Sequence, residues 1–459
     1  MKRKFTALVL ATVLAVLLTA CANSPDPTAQ PTEEPTAVVT ESPTEEPTEE
    51  PDWRSSGEVE RFTAFRDGDN AYGIALCIED DAVLIYLDSR EKTLFAPPIT
   101  VPGMSKELYE SENDGMGPVV FADIDDDGRD ELVIELGRGN ESTERHFYKW
   151  DAEKGEFLEY TPAPVVTEID HYAIKTDIRA ILTDEEYELY KKAIDAILAH
   201  EERVELSDDY DRNLLITSAL QHSPYYFFVE KERFVSNHTA IKYTYKFSVE
   251  EQNEMTEFID SEYLSILAEI IPYPNMNELE KTIAVYQYFA AFLSYDYEWL
   301  EEHTAPDGQL DGEISLYEGL STGRGVCHTY SYLCEFALHQ LGIENLLILG
   351  NMLYDSNISH MWNIVKLNGN YYHFDATWES PDSGMYYFGM TDHDRENQSI
   401  DISYMFIDSV YGEVSCTDES LEDLRDAWYC VIRPGHILET KCFSGGTVLY
   451  NAETWEFIE

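Results

Sequence analysis

Cysteine is scarce, with seven in 459 residues, too few for a disulfide scaffold. Positive charge is scarce relative to negative: 31 Lys and Arg stand against 89 Asp and Glu, a formal net charge of −58. A surface this acidic repels phosphate backbones and argues against a nucleic-acid partner. The metalloprotease pattern H-E-x-x-H is missing, as are the P-loop and the dinucleotide-binding glycine pattern. Long apolar runs are missing too. Residues 5–18 form an uncharged, mostly apolar run of fourteen, short of the roughly 20 that a membrane-spanning helix needs. Apolar residues are plentiful, 44% of the chain with aromatics at 13%, which is ample for a core. The length suggests roughly two to four folding units.

The fourteen-residue run follows Lys2, Arg3 and Lys4 and ends in Leu18-Thr19-Ala20-Cys21. A positive start, a short apolar stretch and small residues before the end are the layout of an export signal. The ending resembles a bacterial lipobox, whose cysteine becomes the lipidated N-terminus after cleavage. Residues 1–21 are therefore expected to be a lipoprotein signal peptide. Cys21 would carry the acyl chains, and the mature protein would sit outside the cytoplasm, held to the membrane by lipid. In residues 22–56 the segment P-T-E-E-P occurs at 31–35, 43–47 and 47–51, and nine acidic and no basic residues fall between 22 and 52. Too few apolar groups are present to offset the entropy of ordering, so a disordered, extended linker is expected.

Residues 57–165 read as a β-rich domain. Residues 75–87 form two strands around an acidic turn, 119–136 form strand, acidic loop and strand, and 146–160 form a hairpin turning near Lys154-Gly155. The loop D-I-D-D-D-G-R-D-E at 123–131 places carboxylates at its positions 1, 3, 5 and 9: Asp123, Asp125, Asp127 and Glu131. The Arg129 carbonyl stands at position 7, and Gly128 at position 6 allows the sharp turn. Hard oxygens at this spacing suit Ca²⁺. Ile134 at position 12 and the strand-like flanks exclude an EF-hand. The loop resembles the FG-GAP/VCBS type of calcium loop, which implies a structural Ca²⁺ at these residues. Residues 166–272 read as an α/β lead-in, with capping boxes at Thr183/Glu186 and Ser248/Glu251 opening two helices and a strand at 241–247 between them.

The chemistry concentrates in residues 273–412. Residues 278–293 are helical by pattern. Gly323, Arg324 and Gly325 precede Cys327. From there Tyr330, Leu333, Cys334, Leu338 and Leu341 recur at helical spacing until Gly342, a C′ stop. Cys327 is therefore expected at a helix N-terminus, where free N–H groups and the positive dipole end attract negative charge. Cys334, deeper in the helix, reads as a core residue. A sulfur nucleophile needs a proton carrier, and that carrier needs an orienter. Asn368-Gly369 marks a two-residue hairpin in which Leu367 opposes Asn370. On that register His360 faces Thr377, with Asp375 its diagonal neighbour at about 7–8 Å between Cα atoms. Alternation places His360, Trp362, Ile364, Tyr371, His373, Asp375 and Thr377 on one face, and Trp362 is positioned to shield the His–Asp bond from water.

At these residues the chain resembles the transglutaminase-like superfamily, whose core is similar to papain-type cysteine proteases. G-V-C at 325–327 resembles its nucleophile motif, S-H-M-W-N-I-V at 359–365 its His motif and Y-Y-H-F-D-A-T-W at 371–378 its Asp motif. The resemblance implies Cys327 as nucleophile, His360 as general base and acid, and Asp375 as orienter. It also implies an α+β fold with the cysteine-bearing helix packed on an antiparallel sheet, behind the smaller β-rich domain. Bacterial members often have glycine two residues after the cysteine. Here that residue is Thr329, with a side chain where a substrate backbone would approach. The Cys327 N–H is one expected oxyanion donor, and Tyr295 is a second candidate.

The reaction implied is acyl transfer through a thioester on an extracellular protein, peptide or cell-wall peptide, ending in hydrolysis or transamidation, with no cofactor for the chemistry. The alternative is a non-catalytic cell-surface binding module that keeps the fold. A calcium-dependent adhesin centred on the β-rich domain is a third reading. Residues 413–459 read as a C-terminal β extension with strands at 428–433 and 447–458, and a Cys430–Cys442 link is left open.

Overall fold

The computed structural model describes residues 53–458 apart from 56, 80, 108–116, 138–142, 175, 306–309, 353–354, 380–383, 399, 402–413 and 444. The signal peptide, Cys21 and nearly all of the acidic linker lie outside the described residues. No helix among the described residues is long and apolar enough to cross a membrane.

The N-terminal part is β-rich. β1 (Arg61–Asp67), β2 (Asn70–Glu79), β3 (Ala82–Leu87) and β4 (Ile99–Thr100) form one antiparallel sheet in chain order. β5 (Val119–Ala122), β6 (Glu131–Leu136), β7 (Glu144–Asp151) and β8 (Glu156–Tyr160) form a second. Alternation turns Ile74, Leu76 and Ile78 of the first sheet and Leu132 and Ile134 of the second into a common core. Phe65 stands at its centre, in ring contact with Tyr72, Phe95, Phe121, Trp150 and Phe157. Burying each such side chain contributes roughly 1.5–3 kcal/mol. The three expected hairpins are present. The sequence signal missed β1, an edge strand in which Phe65 alone is buried, and β4, which is two residues long.

A helical layer follows, with α1 (Thr176–Ile181), α2 (Asp184–Leu198), α3 (Tyr210–Leu220) and α4 (Val249–Ile270) around a small sheet of β9 (Arg203–Glu205), β10 (Val229–Val235) and β11 (Ala240–Tyr245). Both expected capping boxes form. The Thr183 and Ser248 hydroxyls accept the N–H groups of Glu186 and Glu251, and those carboxylates accept the Thr183 and Ser248 N–H groups in return.

Next come α5 (Glu278–Phe292), β12 (Ser294–Tyr295), α6 (Tyr297–His303), α7 (Leu316–Thr322), β13 (Arg324–Gly325) and α8 (Cys327–Gln340). The sheet behind them runs β16 (Asn370–Phe374), β15 (Asp355–Leu367), β14 (Asn345–Met352) and β17 (Ile400–Asp401). Leu333, Ala337 and Leu338 of α8 share a core with Val365 and Leu367 of β15, Tyr372 and Phe374 of β16, and Ile283 and Phe289 of α5. This is the α+β, papain-like arrangement expected, with the cysteine-bearing helix laid on an antiparallel sheet.

α9 (Asp392–Asn397) precedes β17. A last sheet holds β18 (Ala427–Arg433), β19 (Ile437–Cys442), β20 (Thr447–Asn451) and β21 (Glu456–Ile458). Residues 447–458 are thus two strands and not one, because the chain reverses at Trp455, whose φ is +62°. No Cys430–Cys442 link forms, and the described cysteines are free thiols. Strand pairing sets Cys430 opposite Thr440 and Cys442 opposite Ala427, which separates the two along the ladder.

Three segments meet at Glu135, which is buried. Its carboxylate accepts hydrogen bonds from Tyr273 Oη at 2.6 Å and Arg145 Nε at 2.9 Å, and it is ion-paired with the buried Arg433. A strand of the β-rich part, the link between α4 and α5 and the last sheet therefore share one charged centre within the compact unit Asp52–Glu459.

Candidate active site

Local backbone chemistry places Cys327. Gly323 adopts φ +62° and ends α7 in the left-handed region that favours glycine. β13 then pairs in parallel with β12, and the Asp296 N–H bonds the Gly325 carbonyl at 2.8 Å. Val326 is extended, and α8 begins at Cys327. The Ser331 hydroxyl donates to the Cys327 carbonyl at 2.9 Å, and Asn363 Nδ2 of β15 donates to the Ser331 carbonyl at 3.2 Å. The first turn of α8 is thereby pinned to the strand that carries His360.

Thr329 corrects an expectation. It is buried, its hydroxyl accepts the Val326 N–H at 3.1 Å, and its methyl packs under Gly319 and Gly325. The side chain therefore points into the junction of α7, β13 and α8, not outward. Its neighbour His328 is also buried. Its Nε2 accepts the Ile314 N–H at 3.0 Å, and burial pushes the imidazole down to about 4. Cys334 is a fully buried core residue whose thiol burial pushes up.

The hairpin register is the one expected, from Leu367 opposite Asn370 to Asn363 opposite Phe374. The ladder stops there, so His360 and Thr377 do not pair. His360 instead lies opposite Gly350 on β14, and the Asp375 N–H turns to the Tyr387 carbonyl at 3.0 Å. The side chains still meet, with His360 Nε2 2.6 Å from Asp375 Oδ2. Cys327 is within hydrogen-bonding reach of the same imidazole. All three side chains are buried. Burial opposes the charged imidazole, yet the Asp375 charge, its hydrogen bond and Cys327 push His360 up to about 9. Burial likewise opposes the Asp375 carboxylate, and His360 and Arg395 hold it below the usual carboxylate range.

Two tryptophans sandwich the imidazole. Trp362 lies 5.8 Å away at 19° and Trp378 lies 4.7 Å away at 15°. Trp362 has the shielding position expected of it; Trp378, closer still, was not singled out, although it closes the Asp motif. Arg395 of α9 is the larger omission. It is fully buried, 3.1 Å from Asp375 Oδ2, and nothing in the local pattern around it connects it to a residue 20 positions earlier. Tyr295 is half-buried beside Cys327; burial, then the sulfur, raises its phenol above the ordinary tyrosine value.

His373, Asp392 and Cys416 also converge, with ligand-type atoms within 4.8 Å of one another. Trp362 Nε1–H donates to His373 Nδ1 at 2.9 Å, so the ring proton sits on Nε2 and is given to Asp392 at 2.9 Å. A metal at Nε2 would have to displace that proton from a ring whose other nitrogen already accepts. The trio is a hydrogen-bonded brace behind Trp362.

In the acidic loop Asp123, Asp125 and Glu131 bring carboxylate oxygens within 4.8 Å of one another. Asp127 accepts the Arg129 N–H at 2.9 Å, and the Arg129 side chain pairs with Asp67 at 3.4 Å. Lys149 Nζ lies 2.6 Å from Asp125 and 3.3 Å from Asp127 and Glu131. The donor set fits a hard cation, and Lys149 supplies a positive charge at the same place. Burial pushes Glu131 up to about 7. Asn275, between α4 and α5, anchors the loop by donating to the Asp123 carbonyl at 3.0 Å and to Asp126 at 3.1 Å.

Residues 262–403 match the family model of the transglutaminase-like domain. That stretch carries Cys327, His360, Asp375 and Arg395. Among solved structures the chain is similar to one described as a TGase, at 13% identity over 46% of this chain and 63% of that one, with a TM-score of 0.24. It is also similar to a candidate cysteine protease from Cytophaga hutchinsonii, at 14% identity over 33% of this chain and 63% of that one, with a TM-score of 0.21. The chain thus spans 63% of the length of each. No curated protein matches it. The transglutaminase-like domain accounts for the middle of the chain; the β-rich part and the last sheet lie outside the match.

Proposed function

We propose that this chain is a cysteine-dependent acyl-transfer enzyme acting on amides of extracytoplasmic protein or peptide. The observation that carries the reading is a buried imidazole bonded to Asp375 at 2.6 Å with Cys327 in reach of the same ring. Cys327 Sγ attacks the carbonyl carbon of a carboxamide or peptide. His360 gives its proton to the departing nitrogen as the C–N bond breaks, leaving a thioester. Water, or a second amine, then attacks the thioester, His360 takes the proton, and the sulfur is released. Asp375 holds the ring in one orientation and stabilises its protonated form. The Cys327 N–H at the start of α8 is a donor for the developing oxyanion, with the Tyr295 hydroxyl as the second candidate. Acylation of Cys21 would anchor the enzyme at the membrane, and Cys21→Ser would release it into the medium. The 123–131 loop is proposed as a structural Ca²⁺ site.

The test is an electrophilic thiol probe read by peptide mass spectrometry. Selective labelling of Cys327, lost in a folded His360→Ala variant, supports the enzyme. Equal, slow labelling of Cys327 and Cys442 with no effect of His360→Ala would leave the binding module instead. Incubation with glutamine-containing peptides, with and without a primary amine, then separates hydrolysis from transamidation.

A further inference from the structure

We propose that Arg395 is a positioning residue of this site: its guanidinium holds the Asp375 carboxylate and both tryptophans that flank His360, and it balances the charge of the buried pair. The inference rests on the Cys327–His360 reading above.

The geometry is compact. Arg395 Nη2 lies 3.1 Å from Asp375 Oδ2, the same oxygen that meets His360 Nε2 at 2.6 Å. The guanidinium carbon lies 4.5 Å from the Trp362 ring centre and 4.9 Å from that of Trp378. One cation and one imidazole therefore share a carboxylate and two indoles. α9 is itself held in place. The Thr391 and Asp394 side chains form a capping box, Arg425 pairs with Asp394 at 2.8 Å, and Asp392 accepts the His373 Nε2–H. Arg395 Nη1 donates to Gln398 at 2.8 Å. The Asp375 carboxylate has a second anchor, the Thr377 N–H on Oδ1 at 3.2 Å, so the carboxylate keeps a backbone partner when Arg395 is replaced.

Charge supplies the second argument. The proposed attack requires a sulfur anion at Cys327 beside a protonated His360; with the Asp375 carboxylate and the Arg395 guanidinium those charges sum to zero. Without Arg395 a net negative charge is buried, and such a charge is costly unless paired. Other ionisable groups face the cluster: Tyr295 beside β13, Tyr286 of α5, His373 of β16, Glu379 and Tyr387 of the segment after β16, and Asp392 and Asp394 of α9. Arg395 is the cation among them that touches Asp375.

Arg395→Met keeps the stem against the indoles and removes the charge; Arg395→Lys keeps a charge. In the full chain the His360 imidazole is titrated by NMR, and Cys327 alkylation by iodoacetamide is followed against pH by mass spectrometry. Removing a like charge from the neighbourhood of His360 is expected to raise its midpoint by about one pH unit in Arg395→Met and to slow Cys327 alkylation at pH 6 about tenfold. Arg395→Lys should return both to within about 0.3 unit and twofold of wild type. A folded Met variant with the wild-type midpoint and rate overturns the proposal and makes Arg395 a packing residue. Should that variant not fold, Arg395→Lys decides: a midpoint within about 0.3 unit of wild type supports the charge role, and a displacement of about a unit overturns it. A His360→Ala control keeps the two readings apart. If alkylation ignores His360, acyl transfer falls, while the His360 titration still reports on Arg395.

Discussion

Replacing Asp375 with Asn keeps the outline of the carboxylate and removes its charge. In the folded protein His360 is pushed up to about 9, against an ordinary value of 6.5. That difference corresponds to about 3 kcal/mol of stability, since each unit is worth about 1.4 kcal/mol. The sign follows from the direction. A group whose folded value is raised lends its full stability below the unfolded value and loses it as pH climbs through the folded one, so the window is pH 6.5 to about 9. In Asp375→Asn the carboxylate contributions vanish, and burial, the largest influence on the ring, outweighs the smaller contribution of Cys327, which is expected to leave His360 neutral across the window. The variant is therefore expected to lose about 3 kcal/mol more, relative to wild type, at pH 6 than at pH 9.5. His171 and His436, raised by their bonds to Asp260 and Glu280, titrate nearby but do so in both proteins and cancel. Urea unfolding of both proteins at the two pH values, followed by circular dichroism, measures the difference. A stability gap that is the same at both, to within about 0.5 kcal/mol, would refute the reasoning that Asp375 keeps a proton on His360.

Three further outcomes are expected. Glu135→Gln leaves the buried Arg433 and the half-buried Arg145 against a neutral amide and should cost about 3–5 kcal/mol in urea unfolding; because the arginines hold the Glu135 carboxyl low although burial opposes, the variant should also lose less stability than wild type in acid, below about pH 4.3. Gly325→Ala would put a methyl 2.5 Å from Thr329 Cβ at the start of α8; Cys327 labelling should drop about tenfold, and adding Thr329→Gly should restore it. Calorimetric titration with Ca²⁺ should show saturable binding that Asp125→Ala abolishes and Lys149→Met tightens, since the ammonium competes for the same oxygens. Binding should also strengthen as pH rises through about 7, where Glu131 gives up its proton. A flat trace with Lys149→Met would remove the ion from the account.

Much of the site was legible because it is written in local signals. Asn368-Gly369 sets a two-residue turn, and strand alternation then carries His360 and Asp375 to one side without knowledge of the rest of the fold. Gly323 and Gly342 bracket the breaks around α8, so the helix start at Cys327 can be read from its punctuation. The ladder's early stop at Phe374 was not legible, because it depends on where the 385–390 segment crosses to receive the Asp375 and His373 N–H groups. Thr329 was misplaced for a similar reason: its direction is decided by α7 and β13 closing over it.

Sequence alone determined the elements and the order of the reactive residues, since capping boxes, turn residues and apolar periodicity act over a few positions of chain. Tertiary structure alone decided that Arg395 neutralises Asp375, that Trp378 covers His360, and that Glu135 joins three distant segments. Those contacts lie between residues whose separation in the chain carries no period. They exist because buried charges and rings must find partners once water has been excluded, and which partners are in reach is settled only when the helices and sheets have packed.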